Sequence, residues 1–301
     1  MRTLRVIGKY SKISLFFLTL ACIFNNVMRT SLIVLISLFI VSCGPKNGHQ
    51  EVPGPSGQED GFTVRLAHYN VGGFFKSEFN STSMVAAMMK ELGVSAVSMN
   101  ELDSCTTRHS EYQLKDFCDA MGKWNCTFAP AMAYKGGKYG IGIASSPDLK
   151  IVRQYRVTLP KGDGSEQRAL AVCEFERFVF CSTHLDHKSA EAQHAQAETI
   201  HSWVETHYNT SSKPIILCGD FNALPQSTTI KQMKEEWTII SPETFTYNAT
   251  NPSKCIDYVM VYKSAAGKVT VLEAKVPASF KNGDVKEASD HLPVYVEIKI
   301  Q

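Results

Sequence analysis

Short apolar runs of strand character recur along this chain from about residue 63, and six of them end in polar residues that a hydrophobic core cannot use. In order these ends read His68-Tyr69-Asn70, Asn100-Glu101-Leu102, Thr183-His184-Leu185-Asp186, Gly219-Asp220-Phe221-Asn222, Ile256-Asp257-Tyr258 and Ser289-Asp290-His291. Successive strand residues face opposite sides of a sheet, so polar groups two apart share a face. Carboxylates, amides and imidazoles at strand ends therefore converge on one rim, while the runs behind them fill the interior.

Helical signals alternate with the strands. A helix is expected over residues 81–92, where Ser81 or Thr82 can cap the start, Met84, Met88 and Leu92 recur four apart, and Gly93 ends it. Two more are expected over 111–121 and 188–208, the second with Ala197, Ile200 and Val204 on one face. Strands are expected over 63–71, 94–102, 124–128, 139–145, 150–157, 168–175, 178–183, 214–218, 255–262, 268–274 and 293–300, with a hairpin at Glu176-Arg177. Strands outnumber helices and many are consecutive. That favours an α/β sandwich with mixed or antiparallel sheets over a purely parallel wound sheet.

The first 43 residues differ from the rest. They carry Arg2, Arg5, Lys9, Lys12 and Arg29, no acid, and two apolar runs, 13–24 and 31–42. Each run is about a dozen residues, short of the ~20 needed to span a bilayer. Met28-Arg29-Thr30, the apolar middle and the end Ile40-Val41-Ser42-Cys43 match a bacterial lipoprotein signal, with cleavage before Cys43 and lipid on its sulfur. The alternative is an uncleaved amphipathic anchor. Three segments are thus expected: a leader over 1–43, with Met28 as the alternative start; a Gly- and Pro-rich tether over 44–61; and a folded domain over 62–301. The location implied is the cell envelope, lipid-anchored, facing periplasm or exterior.

Processing changes the charge argument. Loss of the five leader cations takes the formal charge from +2 to −3. A slightly acidic domain has no general attraction for nucleic acid, so any phosphate affinity must be local. Of the seven later cysteines, Cys173, Cys181, Cys218 and Cys255 lie in apolar runs and read as small buried hydrophobes, while two of Cys105, Cys118 and Cys126 could pair. None has zinc-finger spacing.

Taken together and in this order, the six segments resemble the endonuclease/exonuclease/phosphatase superfamily, the deoxyribonuclease I-like and exonuclease III-like metal-dependent phosphoesterases. The resemblance runs from about Thr63 to Ile300. It implies a four-layer α/β sandwich, two central mixed or antiparallel sheets packed face to face with helices outside. It also implies a metal site at Glu101, Asn70 and Asp290, suited to Mg²⁺ or Mn²⁺ because the donors are hard oxygens. Asp220 would orient or deprotonate the attacking water, and Asn222 would bind a phosphate oxygen. His184 would contact the phosphate or protonate the leaving oxygen, and His291 would face phosphate with Asp257 as its partner. Arg168 is a candidate for a substrate phosphate or, equally, for a surface ion pair. Tyr139 is a candidate near the site or a core tyrosine. The other histidines, His187, His194, His201 and His207, read as solvated or packing residues.

The function expected is a divalent-metal-dependent phosphodiesterase acting outside the cytoplasm as a monomer. Its substrate is a lipid or sugar phosphate head group, or nucleic acid. A secreted DNA or RNA endonuclease using the same site is the first alternative; a catalytically inactive binding lipoprotein is an alternative of another class. No basic, aromatic-studded insertion for stacking bases is present.

Overall fold

The computed structural model describes residues 61–77 and 79–301; the leader, Cys43 and all but the last residue of the tether lie outside them. Among the described residues, twelve strands form two six-stranded sheets. The first contains β1 (Phe62–Asn70), β2 (Ala96–Ser104), β3 (Asn125–Tyr134), β4 (Gly137–Ser145), β11 (Val269–Lys275) and β12 (Val294–Ile300), in the order β11-β12-β1-β2-β4-β3. The second contains β5 (Ile151–Leu159), β6 (Arg168–Phe175), β7 (Val179–His184), β8 (Ile215–Asp220), β9 (Trp237–Ile239) and β10 (Asp257–Tyr262), in the order β5-β6-β7-β8-β10-β9. Each sheet is mixed: β1 and β2 run parallel, as do β7 and β8, and the remaining pairs are antiparallel.

Three cores account for the four layers. Val64, Leu66, Ile143, Phe180, Ile216 and Val296 belong to the core between the sheets. Helices α1 (Thr82–Leu92), α2 (Gln113–Ala120) and the single turn α5 (Val285–Ala288) cover the outer face of the first sheet. The outer face of the second packs against α3 (Ala190–Tyr208) and α4 (Thr228–Glu236). The expected sandwich is what forms. No helix among the described residues is long and apolar enough to cross a membrane.

Local departures have physical causes. Gly93 ends α1 in the left-handed conformation, φ 65°, but its N-terminus is capped by Asn80, whose Oδ1 accepts from Thr82 N at 2.9 Å. Ser81 instead donates to the Phe74 and Ala288 carbonyls. Strand β3 runs on to Tyr134 through Pro130, and β3 is an edge strand, where proline is tolerated. Helix α4 and strand β9 were not anticipated: α4 buries only Thr229, Ile230 and Met233, and β9 has three residues, too few to show a period. The seven cysteines are free thiols, with Cys173, Cys181, Cys218 and Cys255 buried as expected.

Candidate active site

Strand parity builds the site. On the face of β1 that turns toward the other sheet, Val64 and Leu66 are followed by His68 and Asn70. On β2, Ala96 gives way to Ser98 and Asn100; on β7, Phe180 to Ser182 and His184; on β8, Ile216 and Cys218 to Asp220. On β10, Asp257 precedes Val259. The inter-sheet core thus turns from apolar to polar toward one rim, and register keeps the polar ends level: Asn70 opposite Asn100, His184 opposite Asp220, Asp257 opposite Asp220.

Hydrogen bonds then cross between the sheets. Ser98 Oγ donates to Ser182 Oγ at 2.7 Å, and Asp220 N donates to Asn100 Oδ1 at 3.0 Å. Asp257 receives an imidazole on each oxygen: His68 Nε2 at 2.9 Å from Oδ1 and His291 Nδ1 at 2.9 Å from Oδ2. Burial alone would raise the Asp257 carboxyl; the His291 and His68 imidazoles reverse this and hold it well below the usual carboxylate range. Burial likewise opposes a charge on His291, but Asp257 and Asp220 overcome it and raise its imidazole well above the ordinary value. His291 is therefore a cation at neutral pH.

Asp220, 1% exposed, stands between the groups it would serve. Its Oδ1 accepts from Asn222 N at 2.8 Å and its Oδ2 from Asn70 Nδ2 at 3.1 Å. His184 Nε2 and His291 Nε2 lie 3.5 and 3.6 Å from Oδ2. Burial and the neighbouring Asp257 charge push the Asp220 carboxyl up, with His291 pulling it back. A carboxylate raised toward neutrality is suited to accept a proton.

Asn70 bridges two carboxylates, donating to Glu101 Oε1 at 3.0 Å as well as to Asp220, while its Oδ1 accepts from Gly72 N at 3.1 Å. Only the remaining lone pair of Oδ1 is left for a cation. Glu101 has φ 61° and sits where the β2–β4 register slips between Met99 and Leu102. A non-glycine residue in the left-handed region beside a bulge is strained, and the bulge re-aims its side chain. Asp290 Oδ2 accepts from Lys76 Nζ at 2.8 Å. That bond raises the Lys76 ammonium above its usual value, with Glu101 adding to the effect.

This donor set fits a hard divalent cation. Glu101 and Asp290 are oxygen donors that together already draw in an ammonium group, and Asn70 adds a carbonyl oxygen. A second cluster, Asp220, Asp257 and His291, has ligand atoms within 4.8 Å of one another. It is a poorer cation site, because both Asp257 oxygens are taken by imidazoles and His291 Nδ1 by Asp257.

His184 is held differently from His291. Arg168 Nη1 lies 3.3 Å from its Nδ1. A guanidinium only donates, so Nδ1 accepts and the ring proton sits on Nε2. Asn222 Nδ2, itself a donor bonded to the Leu185 carbonyl, lies 3.0 Å from Nε2, so the nearest acceptor for the Nε2–H is Asp220 Oδ2 at 3.5 Å. Burial, then Arg168, then His291 hold the His184 imidazole well below its ordinary value. It is neutral, and it donates through Nε2 rather than acting as an imidazolium acid.

Arg168, 2% exposed, is also paired with Glu166 Oε2 at 3.1 Å. With His184, Asn222 and His291 it lines a cavity of about 490 Å³ whose remaining lining is His187, Leu224, Tyr247, Lys254 and Ile256. Tyr139 is not part of that lining. It is buried on β4, and burial with the Glu101 charge pushes its phenol up.

His68, Lys76, Tyr247 and Lys254 were not singled out as site residues by the sequence. His68 carried a signal, since it lies two residues before Asn70 and so shares its face. Tyr247 carried none: its ring comes within 5.0 Å of His291 through an isolated bridge between loops.

The Endonuclease/Exonuclease/phosphatase family matches residues 67–291 of the chain. Solved structures share the fold at low identity. A Bacteroides vulgatus endonuclease/exonuclease/phosphatase is 18% identical, with a TM-score of 0.65 over 80% of this chain and 100% of that one. A mannosyl-6-phosphatase from Bacteroides thetaiotaomicron is 19% identical, with a TM-score of 0.63 over 78% and 99%. The human Nocturnin catalytic domain with bound sulfate anion is 17% identical, with a TM-score of 0.62 over 79% and 94%. No curated protein matches the chain in sequence.

Proposed function

Because the chain belongs to the endonuclease/exonuclease/phosphatase family, whose members are divalent-metal-dependent phosphoester hydrolases, we propose that it hydrolyses a phosphodiester outside the cytoplasm. The observation that carries this reading is the meeting of Asp220, Asn222, neutral His184 and cationic His291 at one rim, beside the 490 Å³ cavity. When bound, a divalent ion, Mg²⁺ or Mn²⁺, would neutralise charge at the phosphorus, held by Glu101 and Asp290 with Asn70 at hand.

The chain's own groups supply the rest. Asp220 orients the attacking water and accepts its proton, which its raised carboxyl permits. Asn222 and His184 Nε2–H donate to phosphate oxygens. His291, kept charged by Asp257, faces the negative charge that grows on the phosphate in the transition state. Asn70 and Asn100 hold Asp220 in place from the opposite sheet.

Hydrolysis of bis-p-nitrophenyl phosphate with Mg²⁺ or Mn²⁺ tests the reaction class; no turnover with either ion overturns it. A phosphomonoesterase is the second reading. Arg168 and Lys254 line the cavity and no carboxylate does, which suits the extra charge of a monoester. The nuclease alternative is disfavoured by the −3 charge of the processed chain. Non-specific binding to nucleic acid typically has Kd on the order of 10⁻⁴–10⁻⁶ M, and this domain belongs at the weak end. Sub-micromolar retardation of DNA or RNA in Ca²⁺ would promote that alternative. An inactive binding lipoprotein would lack part of the constellation, and every member is present. The envelope location and the lipid on Cys43 rest on the leader pattern alone.

A further inference from the structure

We propose that His187 is a further substrate-contacting residue, one that reads an oxygen of the leaving group through its Nε2–H, and that Arg168 is the positioning residue that aims it. The inference rests on the phosphoester hydrolase reading above and concerns the alcohol side of the substrate rather than the phosphate.

One guanidinium serves two imidazoles. Arg168 Nη1 faces His184 Nδ1 and Nη2 faces His187 Nδ1, each at 3.3 Å. The two nitrogens belong to one rigid plane, so the two rings are held side by side. Because a guanidinium has no acceptor, both Nδ1 atoms accept and both ring protons lie on Nε2. Ser165 Oγ lies 3.1 Å from His187 Nδ1 and borders the ring, its own proton going to Asp186. His187 is thereby fixed through one ring nitrogen. Among the described residues its Nε2 has no hydrogen-bond partner, and the side chain is exposed on the cavity wall.

The backbone around this ring is fixed too. Asp186 Oδ2 accepts from Ser165 N and Oγ at 2.7 and 2.9 Å, and its Oδ1 from Lys188 N and Ser189 N at 2.8 and 2.9 Å. One buried carboxylate therefore ties the loop before β6 to the turn that carries His187. A donor held this firmly costs little further ordering when substrate arrives.

Position and chemistry set what it reads. His184 next to it is a phosphate donor, so the oxygen in reach of His187 is one step out from the phosphate, on the leaving group. The same cavity offers apolar and aromatic surface from Leu224, Tyr247 and Ile256, with Lys254 as a second donor. A sugar or polyol matches that mixture, with a C–H face and oxygens around its edge.

The test compares leaving groups. Turnover of p-nitrophenyl phosphate and bis-p-nitrophenyl phosphate is measured against hexose 6-phosphates and glycerophosphodiesters, with Mg²⁺ or Mn²⁺, in wild type and three variants. A glutamine amide reaches the place of Nε2 and an asparagine amide only that of Nδ1. In His187→Ala and His187→Asn, kcat/KM for the sugar or polyol esters relative to the nitrophenyl esters should fall about tenfold, the scale of one lost hydrogen bond. His187→Gln should return that ratio to within about threefold of wild type, the residue of imperfect geometry. An unchanged ratio in His187→Ala, or asparagine restoring it as well as glutamine, overturns the inference. If wild type cleaves only nitrophenyl esters, the inference falls and the hydrolase reading stands; if it cleaves none of the panel, both fall.

Discussion

His291 Nδ1 lies 2.9 Å from Asp257 Oδ2, and the pair spans the seam between the two sheets. Asp257 opens β10 of one sheet, and His291 lies three residues before β12 of the other. The charge on His291 therefore depends on how the sheets dock, which couples the folded state to the reactivity of the site.

Asp220→Asn and His291→Ala should each lower kcat by on the order of 10²–10³, the usual cost of one group acting on the transition state. Since the two serve one transition state, the double variant should lose far less than the product of the single losses. Steady-state kinetics on variants shown folded by circular dichroism checks this. Asp220→Asn keeping more than about a tenth of wild-type kcat/KM contradicts the assigned role.

His68→Ala removes one of the two donors on Asp257 and leaves Oδ1 unpaired in the core. A buried acceptor left unsatisfied costs about 1–3 kcal/mol. Denaturant unfolding should show that loss, while kcat falls less than in His291→Ala, because His68 does not face the cavity. Equal loss of kcat in both variants would place His68 among the reacting groups.

Chelation by EDTA should abolish turnover, and Mg²⁺ or Mn²⁺ should restore it. Glu101→Ala should raise the metal concentration for half-maximal activity by about tenfold or more, the range seen for lost ligand support. Calorimetric titration with Mn²⁺ reads the same change without substrate. An unchanged metal requirement removes Glu101 from the ligand set.

Asp186 gives a pH-dependent stability. Its burial would raise the carboxyl, but the Ser189, Lys188 and Glu166 N–H groups and Ser165 lower it below the usual range. A depressed folded-state value stabilises above the unfolded value near ~3.9 and is lost as pH falls through the folded one. Asp186→Asn should therefore cost about 1.5–3 kcal/mol at pH 7, as for hydrogen bonds to a charged group. The gap from wild type should shrink below about pH 4. A gap that is the same at pH 3 and pH 7 speaks against the charge as its source.

Cys43→Ala, expressed in a bacterial host, should release the protein from the membrane fraction with altered mobility. Two acyl chains anchor stably where one binds only marginally. Retention in the membrane with unchanged mobility would rule out lipid at Cys43.

The sequence by itself determined every strand but β9, helices α1, α2 and α3, and the sandwich class, because side-chain period and helix stops are local properties. It also showed which polar residues stand beside the apolar runs, so Asn70, Glu101, His184, Asp220, Asn222, Asp257, Asp290 and His291 were legible as candidates, although Glu101 lies inside β2 at its bulge and Asp257 opens β10. Partners were not. His68 meets Asp257 189 positions away, and Lys76 meets Asp290 214 positions away. Arg168 reads as a phosphate ligand or an ion-pair partner, and it does pair with Glu166, but its burial against two imidazoles was not legible. Which histidine is charged was also beyond the sequence. His291 and His184 are the same residue type, each beside a strand terminus, but one faces carboxylates and the other a guanidinium. Only sheet docking decides that, since electrostatic influence falls off with distance in space and is blind to distance along the chain.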